Sequence, residues 1–300
     1  MSGVVEPEVK HRERRVARLS FAFLLDEMVN GVGGLEPLEA LLVLAVNQAN
    51  IAPLTRDPAA RARYGQIEAP APDAERRPVS INAVAASLGL PFETVRRRIR
   101  RLAAAGVCTV SAEGVVVPAS FLASPDYVQS VRVGHARLRA FYQDLQAAGL
   151  VEELPPSAYG LEDAVPVRAA ARLLSDYVLR SCEGLMREAG NVVSALILTA
   201  ILAAALRDTG ARLSVSQISR RLRLPPETIR RHLVQMSEDE LCARTSVGAG
   251  IPPDMLERPG FTNLFADNAV NVQRLLNGLA ERGVILSWEV PARSADRGAA

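Results

Sequence analysis

The chain of 300 residues is 49% hydrophobic but only 4% aromatic, so Ala, Leu and Val supply most of its apolar surface. This composition favours a mainly α fold, and the length suits one large domain or two of about 100–150 residues. The three cysteines form no CxxC pair and have no histidine cluster nearby, which argues against a disulfide framework and a zinc site. The formal net charge of +2 says little by itself, but its distribution is uneven.

Two segments carry the positive charge. Residues 76–101 hold seven Arg and one Glu, a net +6, and residues 211–235 hold six Arg and one Glu, a net +5. The rest of the chain therefore carries a net −9. Two separate basic blocks are typical of a protein that meets a polyanion at two places.

The first half of the chain predicts two helices and then a loop. Lys10–Asn30 and the more apolar Pro37–Asn50 have helical periodicity, and "GVGG" at Gly31–Gly34 reads as a cap or hinge between them. Residues 51–79 are rich in Pro, Ala and Arg, which indicates a long loop.

A compact group of elements follows the loop. Ser80 is a candidate N-cap for a short helix to Leu88, and Pro91 ends that helix before a second one begins. Val107–Pro118 reads as two short strands joined by a turn that contains glycine. A final helix is predicted between Pro125 and Gly149.

The second half repeats this order. Residues 80–151 align with 214–285 without a gap, and 15 of the 72 positions are identical. Upstream segments also match, at an offset of 155: Ala17–Leu25 with Ala171–Leu179, and Glu39–Val46 with Ser194–Ile201. The chain therefore reads as a fused tandem duplication with units at 9–151 and 163–285, a linker at 152–162 and a flexible tail at 286–300.

The second copy has its own predicted elements, namely helices at Val165–Arg187 and Asn191–Arg207, an N-cap at Ser214, strands within Leu241–Pro253 and a last helix from Pro259 to Gly283. Its most apolar run, Val192–Leu206, has 15 residues, which is short for a membrane span and fits a buried helix better. The N-terminus lacks the apolar core of a signal peptide, so we expect a cytoplasmic protein without membrane contact.

The helix after Pro91 is strongly amphipathic. Val95, Ile99 and Leu102 share one face, and at 100° per residue Arg97 and Arg100 lie opposite. One face is thus expected in the core while the other presents guanidinium groups.

This order of elements, with the pattern L-x-L-P-x-E-T-[VI]-R-R-x-[IL] in both copies, resembles the winged helix-turn-helix of bacterial transcriptional regulators of the MarR, ArsR, IclR and GntR kinds. The resemblance implies DNA-binding cores at 80–118 and 214–252, with long flanking helices where those families dimerise. Two such units in one chain imply an internal pseudo-two-fold axis. A single chain is then expected to place two recognition helices in successive major grooves of double-stranded DNA and to regulate transcription.

The resemblance also assigns candidate DNA-binding residues. Positions early on the recognition helices are expected to read base edges: Thr94, Arg96, Arg97, Thr228, Arg230 and Arg231. Phosphate contacts are expected from Arg98, Arg100, Arg101, Arg220, Arg221 and Arg223, and His232 completes the set. The alternative is a solvated arginine face that only keeps each helix soluble.

The two copies are not equal. Copy two has Val234 and Gln235 where copy one has Arg100 and Arg101, and it continues into the acidic "SEDE" of residues 237–240. We therefore expect weaker binding or a different sequence preference from copy two. Glu113 at the first wing tip, with Arg244 as the only basic wing residue, argues against strong wing contacts.

Other functions find less support. The three histidines, His11, His135 and His232, are scattered, and no Gly-rich phosphate loop appears, so we expect no enzyme, cofactor or metal. Cys108 and Cys242 match between copies and fit core positions better than a redox switch. A small-molecule pocket between the long helices remains an alternative hypothesis, but no particular residue indicates where it would lie.

The runner-up function is a double winged-helix assembly protein, similar to the segregation and condensation B proteins, or a plasmid replication initiator that joins two winged helices. Besides DNA, the candidate partners are RNA polymerase or another regulator. The chain is expected to act as a monomer or a homodimer.

Overall fold

The structure is a computed structural model that describes residues 5–66, 70–159 and 166–289. The helices of the first half are α1 (Val5–Asn30), α2 (Pro37–Arg56), α3 (Pro58–Arg63), α4 (Ile81–Ser87), α5 (Phe92–Ala104), α6 (Ala119–Leu122) and α7 (Pro125–Ala147). Those of the second half are α8 (Val167–Ala189), α9 (Val192–Arg207), α10 (Val215–Leu222), α11 (Pro226–Glu238), α12 (Pro259–Glu281) and α13 (Val284–Glu289). Short 3-10 turns lie at Asp73–Glu75 and Met255–Glu257.

Two small antiparallel hairpins accompany these helices. Strand β1 (Thr109–Val110) pairs with β2 (Val115–Val116), and β3 (Ala243–Thr245) pairs with β4 (Gly248–Gly250). The expectation of a mainly α fold is thus confirmed, and both hairpins lie inside the segments that the sequence predicted.

Both hairpins receive an extra backbone pairing at matching positions. Val79 bridges Val115 in the first half, and Leu213 bridges Ala249 in the second, each pair 134 residues from its counterpart. Gly114 and Gly248 stand at the turns with φ of +138° and +150°. A Cβ there would lie 2.6 Å from the Val79 oxygen or 2.5 Å from the Leu213 oxygen, so only glycine permits this approach.

The first hairpin is docked onto α2 by a buried amide. Asn50 Nδ2 donates to the carbonyl oxygens of Arg77 (2.8 Å) and Val115 (3.0 Å), and Asn50 Oδ1 accepts from the Val117 amide (2.9 Å). The Val117 amide is buried and obtains its hydrogen-bond partner from Asn50, whereas the Val115 oxygen also accepts from the Val79 amide at 3.1 Å. The matching position of the second half is Ala205, so that hairpin relies on apolar packing against α9.

The long helices join the two halves. Helices α1 and α7 of the first half pack with α8 and α12 of the second, while α1 also contacts α9 and α8 contacts α2. At the centre Phe23 stacks on Phe141 at 4.3 Å between ring centroids, and Phe21 meets Phe265 edge-on at 6.2 Å. One continuous hydrophobic cluster therefore extends through both halves.

The most apolar helix, α9, lies in the interior as expected. Every residue from Val192 to Ala205 is buried. Asn191 caps the helix by accepting from the amides of Val193 and Ser194, both at 3.0 Å. Helix α2 is long and apolar enough to cross a bilayer by composition, yet 56% of its most apolar window is buried inside the protein.

The prediction of a long loop at residues 51–79 is partly wrong. Helix α2 continues to Arg56, and Asp57 starts α3 by accepting from the Ala59 amide at 3.0 Å. Pro58 occupies the first turn, where its missing N–H is not needed. Residues 67–69 lie outside the described part of the chain.

The prediction of a flexible tail is wrong for residues 286–289, because they belong to α13. Trp288 is buried and donates from Nε1 to His135 Nε2 at 3.1 Å. The Tyr142 hydroxyl donates to Glu289 Oε1 at 2.5 Å, which attaches α13 to α7. Residues 290–300 lie outside the described part. Of the predicted linker, 152–159 has no helix or strand, and 160–162 are outside the description.

Candidate nucleic-acid interface

Helix α5 has the predicted division into two faces. Ser80 caps the preceding α4 by accepting from the Ala83 amide at 3.1 Å, and Pro91 starts the turn into α5. Val95, Ile99 and Leu102 are buried in the core. On the opposite face Arg97 and Arg100 are exposed.

Helix α11 is built in the same way. Ser214 and Gln217 form a reciprocal capping box at the start of α10, with distances of 3.2 and 2.7 Å. Ile229, Leu233 and Met236 are buried, and Arg230 and Arg231 are exposed. Both arginine helices therefore bury an apolar face and turn guanidinium groups outward.

Two arginines of α5, Arg98 and Arg101, lie against carboxylates at the start of α2. Arg101 Nε donates to Glu39 Oε1 at 2.7 Å, and Arg101 Nη2 lies 3.2 Å from Glu36 Oε2. The hydrogen bond to Glu39 raises the pKa of Arg101. Arg98 Nη1 is 3.5 Å from Glu36 Oε2, and among the described residues Arg98 Nε and Nη1 are buried without a hydrogen bond.

Two further arginines pair within their own helix. Arg96 Nε donates to Glu93 Oε2 at 2.9 Å, and Arg230 Nη1 donates to Glu227 Oε2 at 3.1 Å. Both are exposed i,i+3 pairs, which contribute little stability and open easily. These guanidinium groups thus remain accessible, although each shares its charge with a carboxylate.

Five candidate arginines are exposed, and their side chains form neither an ion pair nor a hydrogen bond within the described ranges: Arg97, Arg100, Arg220, Arg221 and Arg231. They lie on α5, α10 and α11. Their charge is not neutralised inside the protein, so an external anion can take that role.

Arg223 and His232 make contacts that the sequence did not suggest. Arg223 ends α10 in the left-handed conformation with φ of +53°, and its Nη1 donates to the Leu35 carbonyl at 3.1 Å. His232 is half-buried, with Nδ1 2.8 Å from Ser194 Oγ. Burial, and next the charge of Arg231, lower the pKa of His232 below its ordinary value.

The other residues that the sequence singled out lie near the helix starts, on the hairpins and in the interior. Thr94 and Thr228 are half-buried near the starts of α5 and α11. Glu113 is exposed at the first hairpin turn, and Arg244 is exposed on β3. Arg76, counted in the first basic block, is buried, so the net charge of that block overstates its exposed charge.

The acidic partners Glu36 and Glu39 were missed by sequence reasoning. Both residues lie at the start of α2, where acidic side chains are common because they interact favourably with the helix N-terminus, so the sequence gives no further indication of their role. Nothing in the sequence shows that α5, about 60 residues later, lies against them. Among the described residues, no three His, Cys, Asp or Glu side chains meet as a metal site, and Cys108, Cys182 and Cys242 are buried thiols.

Comparisons of the chain with protein families, with curated proteins and with solved structures gave no match. The residues and their geometry are therefore the basis for a functional conclusion.

Proposed function

We propose that the protein is a sequence-specific double-stranded-DNA-binding regulator in which two winged helix-turn-helix units of one chain are related by a pseudo-two-fold axis. Helices α5 and α11 are the recognition helices, and β1–β2 and β3–β4 are the wings. The long helices α1, α7, α8 and α12 hold the two units together as an intramolecular dimer.

One observation carries the proposal: on two helices, exposed guanidinium groups stand at repeat-equivalent positions and have no ion pair in the part of the chain that the structure describes. Arg97 on α5 corresponds to Arg231 on α11, and both lie opposite a buried apolar face. Since the remainder of these helices is fixed in the core, the arginines are available for guanine edges or phosphates.

The two units differ in how they present charge. In α5, Arg98 and Arg101 are turned toward Glu36 and Glu39, so Arg97 and Arg100 carry most of the free charge. In the second unit Arg220 and Arg221 extend the positive surface onto α10, while the acidic residues 238–240 lie at the end of α11 and directly after it. We therefore expect an operator whose two half-sites are not identical.

The test is DNA affinity as a function of salt, measured by fluorescence anisotropy with a random 30-base-pair duplex and then with a selected one. About three to five phosphate contacts predict a log–log slope between roughly −3 and −5. Light scattering on the same complex shows whether one chain per site suffices. Absence of binding even at low salt would overturn the proposal.

A protein-binding role is the second candidate, because exposed apolar side chains lie near both arginine helices. Phe92 starts α5, Val110 lies on β1, and Val247 at the second hairpin turn is 70% exposed. Such groups suit a docked protein partner better than a phosphate backbone. Absence of DNA binding together with a partner whose binding is lost in Val247→Ser and Phe92→Ser would favour this assembly role.

A further inference from the structure

A second basic site lies away from the arginine helices, between α2 and α8. A cavity of about 310 Å³ opens there, with Gln48 and Thr55 of α2 on one side and Arg172, Leu173 and Asp176 of α8 on the other. Arg282, just after α12, closes one end. The Gln48 side-chain amide donates to the Arg172 carbonyl at 2.9 Å, which holds the two walls together.

Arg172 is the distinctive side chain of this cavity. Among the described residues its guanidinium forms no hydrogen bond or ion pair, although the side chain is only partly exposed. A partly desolvated guanidinium without an acidic partner is costly, because burial disfavours the charged form. A bound anion would remove this cost.

Three other arginines lie close to Arg172. Arg76, Arg168 and Arg282 are close enough to repel its charge. Arg76 donates to the Ala71 carbonyl at 3.0 Å, and Arg168 donates to the Leu122 carbonyl at 3.2 Å. Together with burial, the charges of these neighbouring arginines disfavour the charged form of Arg172.

Within the described ranges, three carboxylates near the cavity are each engaged with another group, and one of them is Glu281, whose Oε2 lies 4.0 Å from Arg282 Nη1. Asp176 lines the cavity, but its Oδ2 accepts from Arg180 Nε at 2.7 Å. Asp73 Oδ1 is 3.7 Å from Arg76 Nε and accepts from the Ala119 amide at 2.6 Å. Burial, and then the charges of Arg168 and Arg76, lower the pKa of Arg172 to about 10.

We propose that this cavity binds a small anion that carries carboxylate or phosphate groups, with Arg172 as its principal ligand. A guanidinium fork matches two oxygens of either group. The volume lies at the lower end of small-molecule pockets, so the ligand is inorganic phosphate, a small phosphate ester or a short dicarboxylate. The site shares no residue with the proposed DNA surface and does not depend on it.

Isothermal titration calorimetry of the full chain tests the proposal, with inorganic phosphate and with succinate as probes at constant ionic strength in chloride buffer. We expect saturable binding at one site per chain for at least one probe, and the probe that binds tells phosphate from carboxylate ligands. Arg172→Gln should weaken binding at least tenfold. Arg172→Lys, which keeps the charge without the fork, should weaken it less.

Two controls exclude other sources of binding. Arg187→Gln removes an exposed arginine of the same helix that pairs with Asp267, and it should bind like wild type. Arg97→Ala should also bind like wild type, which separates this site from the DNA surface. Without probe, Arg172→Gln should melt about 2–4 °C higher, because it removes an uncompensated charge.

Absence of saturable binding for both probes would overturn the proposal. Unchanged binding in Arg172→Gln, or loss of binding in Arg97→Ala, would do the same. If Arg172→Gln does not fold, the titrations of wild type and Arg172→Lys test the proposal. Equal affinity of these two proteins would contradict a two-point contact between the Arg172 guanidinium and the anion.

Discussion

His232 Nδ1 on α11 lies 2.8 Å from Ser194 Oγ on α9, at a position equivalent to the one where α5 of the first half meets the carboxylates of α2. In the repeat, His232 corresponds to Arg98 and Ser194 corresponds to Glu39. Each half thus fastens its arginine helix to the first turn of its apolar helix. The first half does so with ion pairs to Glu36 and Glu39, and the second with one neutral hydrogen bond.

Arg97→Ala should lower the affinity for the preferred duplex by about 1–3 kcal/mol and relax the preference at one base pair. The reason is that Arg97 is exposed and has no ion-pair partner among the described residues. Competition binding with single-base variants of the site measures both effects. Arg132→Ala removes an equal charge from the exposed surface of α7 and should have little effect. Equal losses in the two variants would contradict a base contact.

Glu36→Gln should increase DNA affinity at low salt. Glu36 draws the guanidinium groups of Arg98 and Arg101 toward α2, with N–O distances of 3.5 and 3.2 Å. Neutralising one partly exposed carboxylate is worth about 0.2–1 kcal/mol, or roughly a 1.4- to fivefold gain in affinity. A salt titration should also give a steeper slope than for wild type. A decrease in affinity would show that these arginines do not face the DNA.

Arg101→Ala should destabilise the fold more than loss of an ordinary surface ion pair. Its partner Glu39 is buried, and without Arg101 that carboxylate would lack its main donor, at a cost of about 1–3 kcal/mol. Arg187→Ala breaks an exposed pair with Asp267 and should cost no more than about 1 kcal/mol. Urea unfolding at pH 7.5 compares the two, and equal midpoints would contradict the role of Glu39.

Acidification should destabilise the protein through two half-buried histidines, His135 and His232. Burial lowers the pKa of His232 and of His135 from 6.5, with further lowering by Arg231 and Arg139. The folded chain therefore keeps these rings neutral where the unfolded chain binds protons. The contribution of the two neutral rings to the stability of the fold is complete above pH 6.5 and is lost as the pH falls below that value.

Urea unfolding at pH 7.5 and pH 5.0 measures this effect. The loss of unfolding free energy between the two values should be smaller in His232→Gln than in wild type. An identical pH dependence of the two proteins would contradict the assignment.

Gly114→Ala should destabilise the first hairpin by more than about 2 kcal/mol. A new Cβ would lie 2.6 Å from the Val79 carbonyl oxygen, a backbone atom that is held by the bridge to Val115. Gly106→Ala is the matched control, because Gly106 also has a positive φ of +74° but has nothing within 4 Å of the added carbon. The control should cost about 1 kcal/mol. Chemical denaturation tests the difference, and equal costs would count against the close approach.

The sequence by itself determined the helical elements, because their signals are local. The caps at Ser80 and Ser214, the buried rows on α5 and α11 and the hairpin glycines all follow from short-range patterns within each copy. The internal match of residues 80–151 with 214–285 is likewise visible in the sequence alone. The helices at 51–63 and 284–289 were missed because proline-rich and terminal segments fold by contacts with distant residues, as Trp288 does with His135.

Only the tertiary structure decided which charges are free. Arg98 and Arg101 look identical to Arg97 and Arg100 in sequence, but α2 brings Glu36 and Glu39 against the first pair and leaves the second pair exposed. The same holds for Arg172 between α2 and α8, whose guanidinium has no partner among the described residues and which has no sequence signature. Electrostatic pairing depends on distances across the fold, and these are set by packing between helices that lie far apart in the chain.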